Sequence, residues 1–214
     1  MAKKSAIRKI INTTLLNKNL TINQISKNIK VIDNIFKDYV LNILRLRMQL
    51  ANHFDDYYKD YRAINYDNKD LLTNDLAEEI SKKFKLNKFQ RAWSFIYDSN
   101  SKGVNFHADP SNINVNVWVT PDHSIEDDSK NGLLICDVKP PKNWERKQWN
   151  KNLNNCVDKF LKKEKHNMYK IKYKYNRAII FDGALFHKTD DVKTKNGIYD
   201  KRVSYTMLFG QALQ

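Results

Sequence analysis

The spacing of hydrophobic residues divides the chain into two parts. Over residues 31–61, apolar side chains recur every three or four positions with no Pro or Gly, which predicts one long amphipathic helix or two abutting helices. A shorter helix is expected to begin at Thr21, and another is expected over about 74–84. Together these elements predict an N-terminal helical layer over residues 1–89.

After the helical layer, the hydrophobic period changes from about 3.6 residues to 2, which is typical of half-buried strands. The predicted strands are rich in Val, Ile, Tyr, Phe and Trp and are bounded by Gly, Asn, Asp or Pro: 91–97, 104–108, 113–120, 133–138, 169–175, 177–182 and 202–209. A helix is expected near 154–164. Short strands after a run of helices favour the α+β class, with a β-barrel or two-sheet roll over residues 90–214 and one compact unit overall.

The net charge of +14 raises the question of nucleic-acid binding. Only eight of the 38 basic residues are arginine, whereas nucleic-acid readers favour Arg for bidentate contacts. The lysines are spread along the chain, with modest clusters at 82–88 and 159–174. We therefore interpret the charge as a solvated, lysine-rich surface and keep nucleic-acid binding as the alternative.

The composition also bears on membranes and on the redox compartment. Mean hydropathy is −0.70 and no apolar run approaches the length of a bilayer span, so no membrane-spanning segment is expected. The basic N-terminus is followed by a polar break at 12–14, which argues against a secretory signal. Two cysteines, Cys136 and Cys156, are too few for a disulfide scaffold or a Cys-based zinc site. A reducing, cytoplasmic location is predicted.

Two His-x-Asp triplets stand out among the five histidines. Residues i and i+2 point to the same face of a strand, but they are about 200° apart on a helix. His53 and Asp55 fall on the predicted amphipathic helix, so they are interpreted as a surface pair. His107 and Asp109 end a predicted strand, where both side chains can reach one metal ion.

A third ligand would complete a metal site. A His–carboxylate pair with one more His forms the facial triad of non-haem Fe(II) oxygenases, which leaves coordination positions open for a bidentate 2-oxo acid and O₂. His187, just after the predicted strand 177–182, is the candidate. Taken alone, it could equally be a lone surface histidine.

The last predicted strand carries an unusual polar face. Arg202, Ser204 and Thr206 alternate with apolar residues, and a buried face of this kind is costly unless an anion pairs with the Arg. A dicarboxylate co-substrate would need such a cation for its far carboxylate. The alternative for Arg202 is a structural bridge to a carboxylate of the protein.

The order His107-x-Asp109, His187 and Arg202-x-Ser204 resembles the 2-oxoglutarate/Fe(II)-dependent dioxygenase superfamily, and more narrowly its prolyl 4-hydroxylase-like branch with many bacterial and viral relatives. The resembling segments follow the family's order and cover over half of the chain: 105–109, 114–121, 131–135, 176–182, 186–189 and 202–210. One departure concerns the nucleic-acid-repair branch, which carries a second Arg where this chain has Leu208.

The resemblance implies a double-stranded β-helix, or jelly roll, with N-terminal helices packed on its larger sheet. It implies that His107, Asp109 and His187 are the catalytic residues that bind Fe(II), with O₂ as a co-substrate. It further implies that Arg202 binds the C5 carboxylate of 2-oxoglutarate and that Ser204 donates its hydroxyl to the same group.

Two further residues are candidates for contact with 2-oxoglutarate. Asn116 lies on the polar face of the predicted strand 113–120, although neighbouring backbone could equally satisfy its amide. Tyr97 ends the predicted strand 91–97, but Tyr is common at strand ends.

The resemblance predicts hydroxylation of a C–H bond in an amino-acid or peptidyl side chain, so the expected partner is a protein, a peptide or a small molecule. Two alternatives stay open. One is a 2-oxoglutarate oxygenase that modifies nucleic acid, and the other is a jelly roll that binds a partner without catalysis.

Overall fold

The computed structural model describes residues 14–66 and 70–211. Within these ranges the strands are β1 (Thr21–Ser26), β2 (Ile29–Asp33), β3 (Asp56–Tyr57), β4 (Tyr61–Tyr66), β5 (Phe89–Tyr97), β6 (Ile113–Trp118), β7 (Leu133–Cys136), β8 (Met168–Ile171), β9 (Arg177–Asp182), β10 (His187–Thr189) and β11 (Val203–Phe209). The α-helices are α1 (Asp38–Gln49), α2 (Leu71–Phe84), α3 (Arg146–Trp149) and α4 (Cys156–Lys163). Short 3₁₀ turns lie at Asp122–Ser124 and Leu153–Asn155.

The strands form two antiparallel sheets that pack face to face. The larger sheet has the order β1-β2-β9-β6-β11-β5-β4-β3, and the smaller has the order β10-β7-β8. Apolar side chains from β2, β6 and β9 meet those of β7 and β8 in one buried cluster between the sheets. The predicted α+β class and jelly-roll architecture are confirmed.

Helices α1 and α2 cover the outer face of the larger sheet, as the resemblance implied. Their buried residues share a cluster with alternate residues of β11, namely Val203, Tyr205, Met207 and Phe209. Because side chains alternate along a strand, the intervening residues of β11 face the smaller sheet. In the part of the chain that the structure describes, no helix has the length and hydrophobicity needed to cross a bilayer.

The predicted helical layer over 1–89 is wrong in part. Residues 21–33 form the β1–β2 hairpin at one edge of the larger sheet, and 56–66 form β3 and β4 at the other. Of the helix predicted over 31–61, only α1 is helical. The remaining residues of the layer, 1–13 and 67–69, lie outside the described ranges.

The error has a physical cause in β2. Four of its five residues are buried, because the strand is covered by α1 on one face and by the smaller sheet on the other. A strand buried on both faces loses the alternation of period 2, so its apolar run joins the helical stripe that follows. The division at residue 90 stays a prediction. Strand β4 precedes this division and pairs with β5, which begins at Phe89 and crosses it.

Smaller differences between the prediction and the structure concern single elements and the residues at which they begin or end. The predicted strand 104–108 is an extended loop, and the strand predicted over 169–175 ends at Ile171. Helix α2 begins at Leu71, three residues earlier than expected, because the Asp70 side chain accepts a hydrogen bond from the Thr73 amide and caps it. The strand predicted from Arg202 begins at Val203.

Both cysteines are free thiols, as expected from their number. Cys136 is buried in β7 and Cys156 is half-buried at the start of α4. Burial raises the pKa of the Cys136 thiol to about 11, so it stays protonated and unreactive at neutral pH.

A buried ion pair between Asp33 and Arg177 links β2 to β9. Asp33 accepts hydrogen bonds from Arg177 Nε at 2.6 Å and Nη2 at 3.0 Å, and from Lys174 Nζ at 2.9 Å. Burial acts to raise the pKa of Asp33, but these hydrogen bonds and positive charges outweigh it and hold the pKa below its usual value.

We expect Asp33→Asn to lower the free energy of unfolding by about 2 kcal/mol at pH 7, because charge-assisted hydrogen bonds are lost. A carboxylate with a lowered pKa stabilises the fold above its unfolded pKa, so the difference from wild type should shrink as pH falls below about 4. Urea denaturation across pH tests this, with the exposed Asp128→Asn as control. A difference that does not depend on pH would contradict it.

Candidate metal centre

His107 and His187 are brought together by a pair of backbone hydrogen bonds. The His107 amide donates to the His187 carbonyl at 3.0 Å, and the His187 amide donates to the His107 carbonyl at 2.8 Å. This isolated antiparallel bridge joins the 104–110 loop to β10. The two residues are directly opposite, so their rings lie on the same side with centroids 4.3 Å apart.

Asp109 completes a cluster of three ligating side chains. Its amide donates to the Gly183 carbonyl at 2.8 Å, which fixes the loop against the end of β9. The carboxylate lies 3.5 Å from His187 Nε2 through Oδ2 and 3.9 Å from His107 Nε2 through Oδ1. One ligand atom from each residue lies within 4.8 Å of the others. This arrangement can hold a single metal ion on one face of an octahedron.

Both imidazoles turn Nε2, a nitrogen that can bind a metal, toward the centre of the cluster. His107 Nδ1 donates to the Asn105 carbonyl at 2.7 Å, and His187 Nδ1 donates to the Leu185 carbonyl at 2.9 Å. A carbonyl can only accept, so a proton lies on each Nδ1, and each ring turns its Nε2 toward Asp109. Burial, helped by the neighbouring His187, lowers the pKa of His107 to about 4. His107 is therefore neutral at physiological pH, as a metal ligand must be.

The Asp109 carboxylate is ionised and oriented. Burial acts to raise its pKa, but the imidazoles of His187 and His107 and a hydrogen bond from Asn114 outweigh it and lower the pKa to about 2. Asn114 Nδ2 donates to Asp109 Oδ2 at 2.6 Å, and Ser111 Oγ donates to Asn114 Oδ1 at 2.6 Å. This chain of hydrogen bonds leaves the carboxylate one preferred orientation.

A buried guanidinium lies deeper between the sheets. Arg202 is 1% exposed, and its Nε donates to the Asn131 carbonyl at 2.9 Å. Its guanidinium carbon lies 4.7 Å from the ring centre of Tyr97, 5.6 Å from that of Trp118 and 5.7 Å from that of Tyr173. Among the described residues no carboxylate pairs with Arg202, so the alternative of a structural ion pair is not found, and Nη1 has no hydrogen-bond partner.

Ser204 and Asn116, two of the predicted 2-oxoglutarate contacts, lie on the neighbouring strands β11 and β6. The β6–β11 register places Ser204 opposite Trp118 and Asn116 opposite Thr206. Asn116 Nδ2 donates to Thr206 Oγ1 at 3.0 Å, while Asn116 Oδ1 and Ser204 Oγ are buried without a partner. Buried polar atoms without partners are rare in folded proteins and mark places where a ligand can bind.

Tyr97 connects the guanidinium to the smaller sheet. Its ring lies beside Arg202, and its hydroxyl is 3.3 Å from Thr189 Oγ1 of β10. Tyr97 therefore lies beside Arg202 and reaches β10 of the smaller sheet. Leu208, toward the other end of β11 from Arg202, lies opposite Asn114, which holds Asp109.

Comparison with known proteins identifies the fold. A scan against protein-family models and a search of curated sequences found no match. Among solved structures, HygX from Streptomyces hygroscopicus, with nickel and 2-oxoglutarate bound, is similar at a TM-score of 0.57 and 11% identity over 86% of this chain and 83% of HygX. The fold is that of the 2-oxoglutarate/Fe(II) oxygenases.

Two further structures support this oxygenase fold. A Pseudomonas putida prolyl-4-hydroxylase matches with a TM-score of 0.51 and 9% identity over 87% of this chain and 94% of its own. The non-haem, α-ketoglutarate-dependent epimerase SnoN from nogalamycin biosynthesis matches with a TM-score of 0.57 and 6% identity over 84% of this chain and 76% of its own. The fold expected from the resemblance is confirmed.

The second His-x-Asp triplet is not part of the cluster of His107, Asp109 and His187. His53 and Asp55 follow α1, and His53 Nε2 lies 4.0 Å from Asp55 Oδ1 with the imidazole 79% exposed. Their interpretation as a surface pair is confirmed, although the helix on which it rested ends at Gln49.

Several residues that support the site were not predicted from the sequence. Tyr173 follows β8 and reaches Arg202, while Asn131 presents its carbonyl to Arg202 from a left-handed backbone conformation with φ 67°. An Asn before Gly132 is a local signal for such a turn. No local signal shows that its carbonyl holds a guanidinium 71 residues away.

Gly183 is required by the hydrogen bonds that hold Asp109. A Cβ at this position would lie 2.2 Å from Ser111 Oγ and 2.8 Å from Asn114 Oδ1. We expect Gly183→Ala to lower metal affinity about 10- to 100-fold, the usual effect of losing a residue that orients a metal ligand. Titration of the apoprotein with Fe(II) under anaerobic conditions measures this. The control is the exposed Gly197→Ala, whose Cβ meets the Asp200 side chain and not the residues that hold Asp109. Unchanged affinity in a folded Gly183→Ala protein would contradict it.

Proposed function

We propose that the protein is an Fe(II)- and 2-oxoglutarate-dependent oxygenase in which His107, Asp109 and His187 bind iron and Arg202 binds the C5 carboxylate of 2-oxoglutarate. The observation that carries this proposal is the buried guanidinium of Arg202, which has no anionic partner in the described residues. It lies beside Trp118, which shares a buried cluster with Phe181, and the Phe181 ring packs against His187. A buried charge without a partner is strongly unfavourable. A bound dicarboxylate supplies the missing anion.

The pocket around Arg202 fits a carboxylate. Arg202 Nη1 and the Ser204 hydroxyl are unused donors, and Asn116 Oδ1 is also buried without a partner. The aromatic rings of Tyr97, Trp118 and Tyr173 keep water away from the guanidinium. In such low-dielectric surroundings a charged hydrogen bond is stronger than in water.

The three ligands fit Fe(II). Two neutral imidazoles and one carboxylate are the donor set of the facial triad, and they leave coordination positions for a 2-oxo acid and O₂. When bound, iron and 2-oxoglutarate supply the oxidation of a substrate C–H bond, and 2-oxoglutarate is consumed to succinate and CO₂. The protein contributes positioning: Asn114 orients Asp109, and backbone carbonyls orient both imidazoles.

We propose that the substrate is an amino-acid or peptidyl side chain, or a small molecule of similar size. The likeness to a prolyl-4-hydroxylase fold supports this class. Nucleic-acid modification stays the alternative, and two lysines of the clusters that motivated it are engaged in ion pairs: Lys82 with Glu78 and Lys174 with Asp33.

Turnover of 2-oxoglutarate tests the proposal. The iron-loaded protein should form succinate from 2-oxoglutarate in an O₂-dependent reaction. Asp109→Ala should reduce the rate to background, because it removes an ionised ligand and its charge. Asp55→Ala, in the exposed His-x-Asp triplet, should leave the rate unchanged and serves as the matched control. Wild-type turnover in Asp109→Ala would overturn the assignment.

A further inference from the structure

A cavity of about 790 Å³ adjoins the Asp109 side of the proposed metal centre. One wall is formed by Ala108, Asp109, Pro110 and Ala184, and the other belongs to the segment that follows β7. From this segment the lining residues are Lys139, Pro140, Pro141, Lys142, Trp144, Arg146 and Trp149. The volume is that of a small-molecule site.

The cavity wall is hydrogen-bonded to the residue between two of the proposed iron ligands. The Ala108 amide donates to the Trp149 carbonyl at 2.9 Å, and Asn150 Nδ2 donates to the Ala108 carbonyl at 2.8 Å. On the other side, Lys139 pairs with Asp182 at 2.5 Å, and Asp182 also accepts from the Ala184 amide at 3.0 Å. A ligand in this cavity therefore lies against the backbone that presents Asp109.

The charge of the cavity is positive. Three of its lining residues are cationic, and its one acidic residue, Asp109, is held by Asn114 and the two histidines. In the described ranges, neither Lys142 nor Arg146 has a carboxylate within 4 Å. These two cations are free to bind an anion that enters the cavity.

The remaining walls are apolar and held in place. Trp144 packs against Phe160 with ring centres 5.3 Å apart and against Phe186 at 6.2 Å, so the cavity is lined by a fixed aromatic surface. Pro140 and Pro141 add rigid apolar surface next to it. Flat apolar walls with cations beside them suit a ligand that joins a planar body to an anionic group.

We propose that this cavity binds a small organic anion, with a carboxylate or phosphate joined to a planar or apolar body, and that this anion is the substrate class of the oxygenase. Its role as a substrate rests on the proposed function. Binding itself depends only on the cavity, Lys142 and Arg146.

Two fluorescent probes with the same ring system test the binding. 8-Anilinonaphthalene-1-sulfonate carries a negative charge, and N-phenyl-1-naphthylamine does not. The double variant Lys142→Gln/Arg146→Gln should weaken binding of the anionic probe at least tenfold and leave the neutral probe unchanged. The control Lys162→Gln/Lys163→Gln removes two exposed lysines of α4 and should change neither. Equal binding of the anionic probe to wild type and to the cavity variant overturns the proposal.

Displacement separates the two anion chemistries. Release of the anionic probe by phenyl phosphate supports a phosphate-bearing substrate, and release by phenylacetate supports a carboxylate. Failure of both at millimolar concentration overturns the proposal. His187→Ala should abolish 2-oxoglutarate turnover but keep probe binding, because His187 does not line the cavity. The two proposals can therefore fail separately.

Discussion

Replacing His187 with Ala should lower the affinity for Fe(II) at least about 100-fold, because one of three protein ligands is lost and the remaining His–carboxylate pair is a weaker chelate. His187 is 5% exposed and its Nδ1 is anchored to the Leu185 carbonyl. Among the described residues no further His, Cys, Asp or Glu joins its cluster with His107 and Asp109. Anaerobic calorimetric titration of the apoprotein measures the affinity.

The control for this titration is a variant of the exposed His-x-Asp triplet. His53→Ala removes an imidazole from the exposed triplet and should leave the Fe(II) affinity unchanged. Metal should also raise the melting temperature of wild type and of His53→Ala, but not of His187→Ala, since a ligand stabilises only the fold that binds it. A folded His187→Ala protein with wild-type affinity would contradict the assignment of this residue.

Replacing Arg202 with Met should lower 2-oxoglutarate affinity about 100-fold or more, the equivalent of roughly 3 kcal/mol for a lost charge-assisted, buried contact. Fe(II) affinity should stay unchanged. In the absence of 2-oxoglutarate, the free energy of unfolding should stay the same or rise, because Met removes a buried charge that has no anionic partner among the described residues.

Arg177→Met is the matched control, because it makes the same substitution in an arginine that does have a partner. Arg177 bonds to Asp33, so its loss should lower the free energy of unfolding by about 2–3 kcal/mol and leave 2-oxoglutarate affinity unchanged. Arg202→Met should therefore lose 2-oxoglutarate affinity but not stability, whereas Arg177→Met should lose stability but not 2-oxoglutarate affinity. Arg202→Met with wild-type 2-oxoglutarate affinity, or with the stability loss of Arg177→Met, would contradict the account.

The β half of the fold could be predicted from local pattern. Strand β11 has one face against the helices and one toward the smaller sheet, so its apolar and polar residues alternate from Val203 to Met207. The same alternation placed Ser204 and Asn116 on the interior. His107 and Asp109 were found by their spacing, although the structure places them on a loop bonded to β10 and not at a strand end.

The strands of the N-terminal half could not be predicted from local pattern, because they lie at the edges of the larger sheet or under other elements. Strand β2 is buried on both faces, and β1 is exposed along most of its length, so neither shows a half-buried pattern. Strand β3 has only two residues. Strand β2 pairs with β9, and β4, the partner of β3, pairs with β5. Local sequence does not encode this pairing across the fold.

The residues that support Asp109 and Arg202 could not be predicted either, because they come from distant parts of the chain. Gly183, Ser111 and Asn114 form one hydrogen-bonded unit around Asp109, but Gly183 comes from the end of β9, about 70 residues later in the chain. Tyr173 reaches Arg202 from the smaller sheet. Such contacts are set by how the two sheets pack, so they appear only in three dimensions.

The most direct test of the central claim is an anaerobic titration of the Fe(II)-loaded protein with 2-oxoglutarate, followed by visible absorption. The weak charge-transfer band of the iron–2-oxoglutarate chelate should appear in wild type. The band should be lost in His187→Ala and, at the same 2-oxoglutarate concentration, in Arg202→Met. A folded wild-type protein that shows no band, or a band that persists in both variants, would contradict this claim.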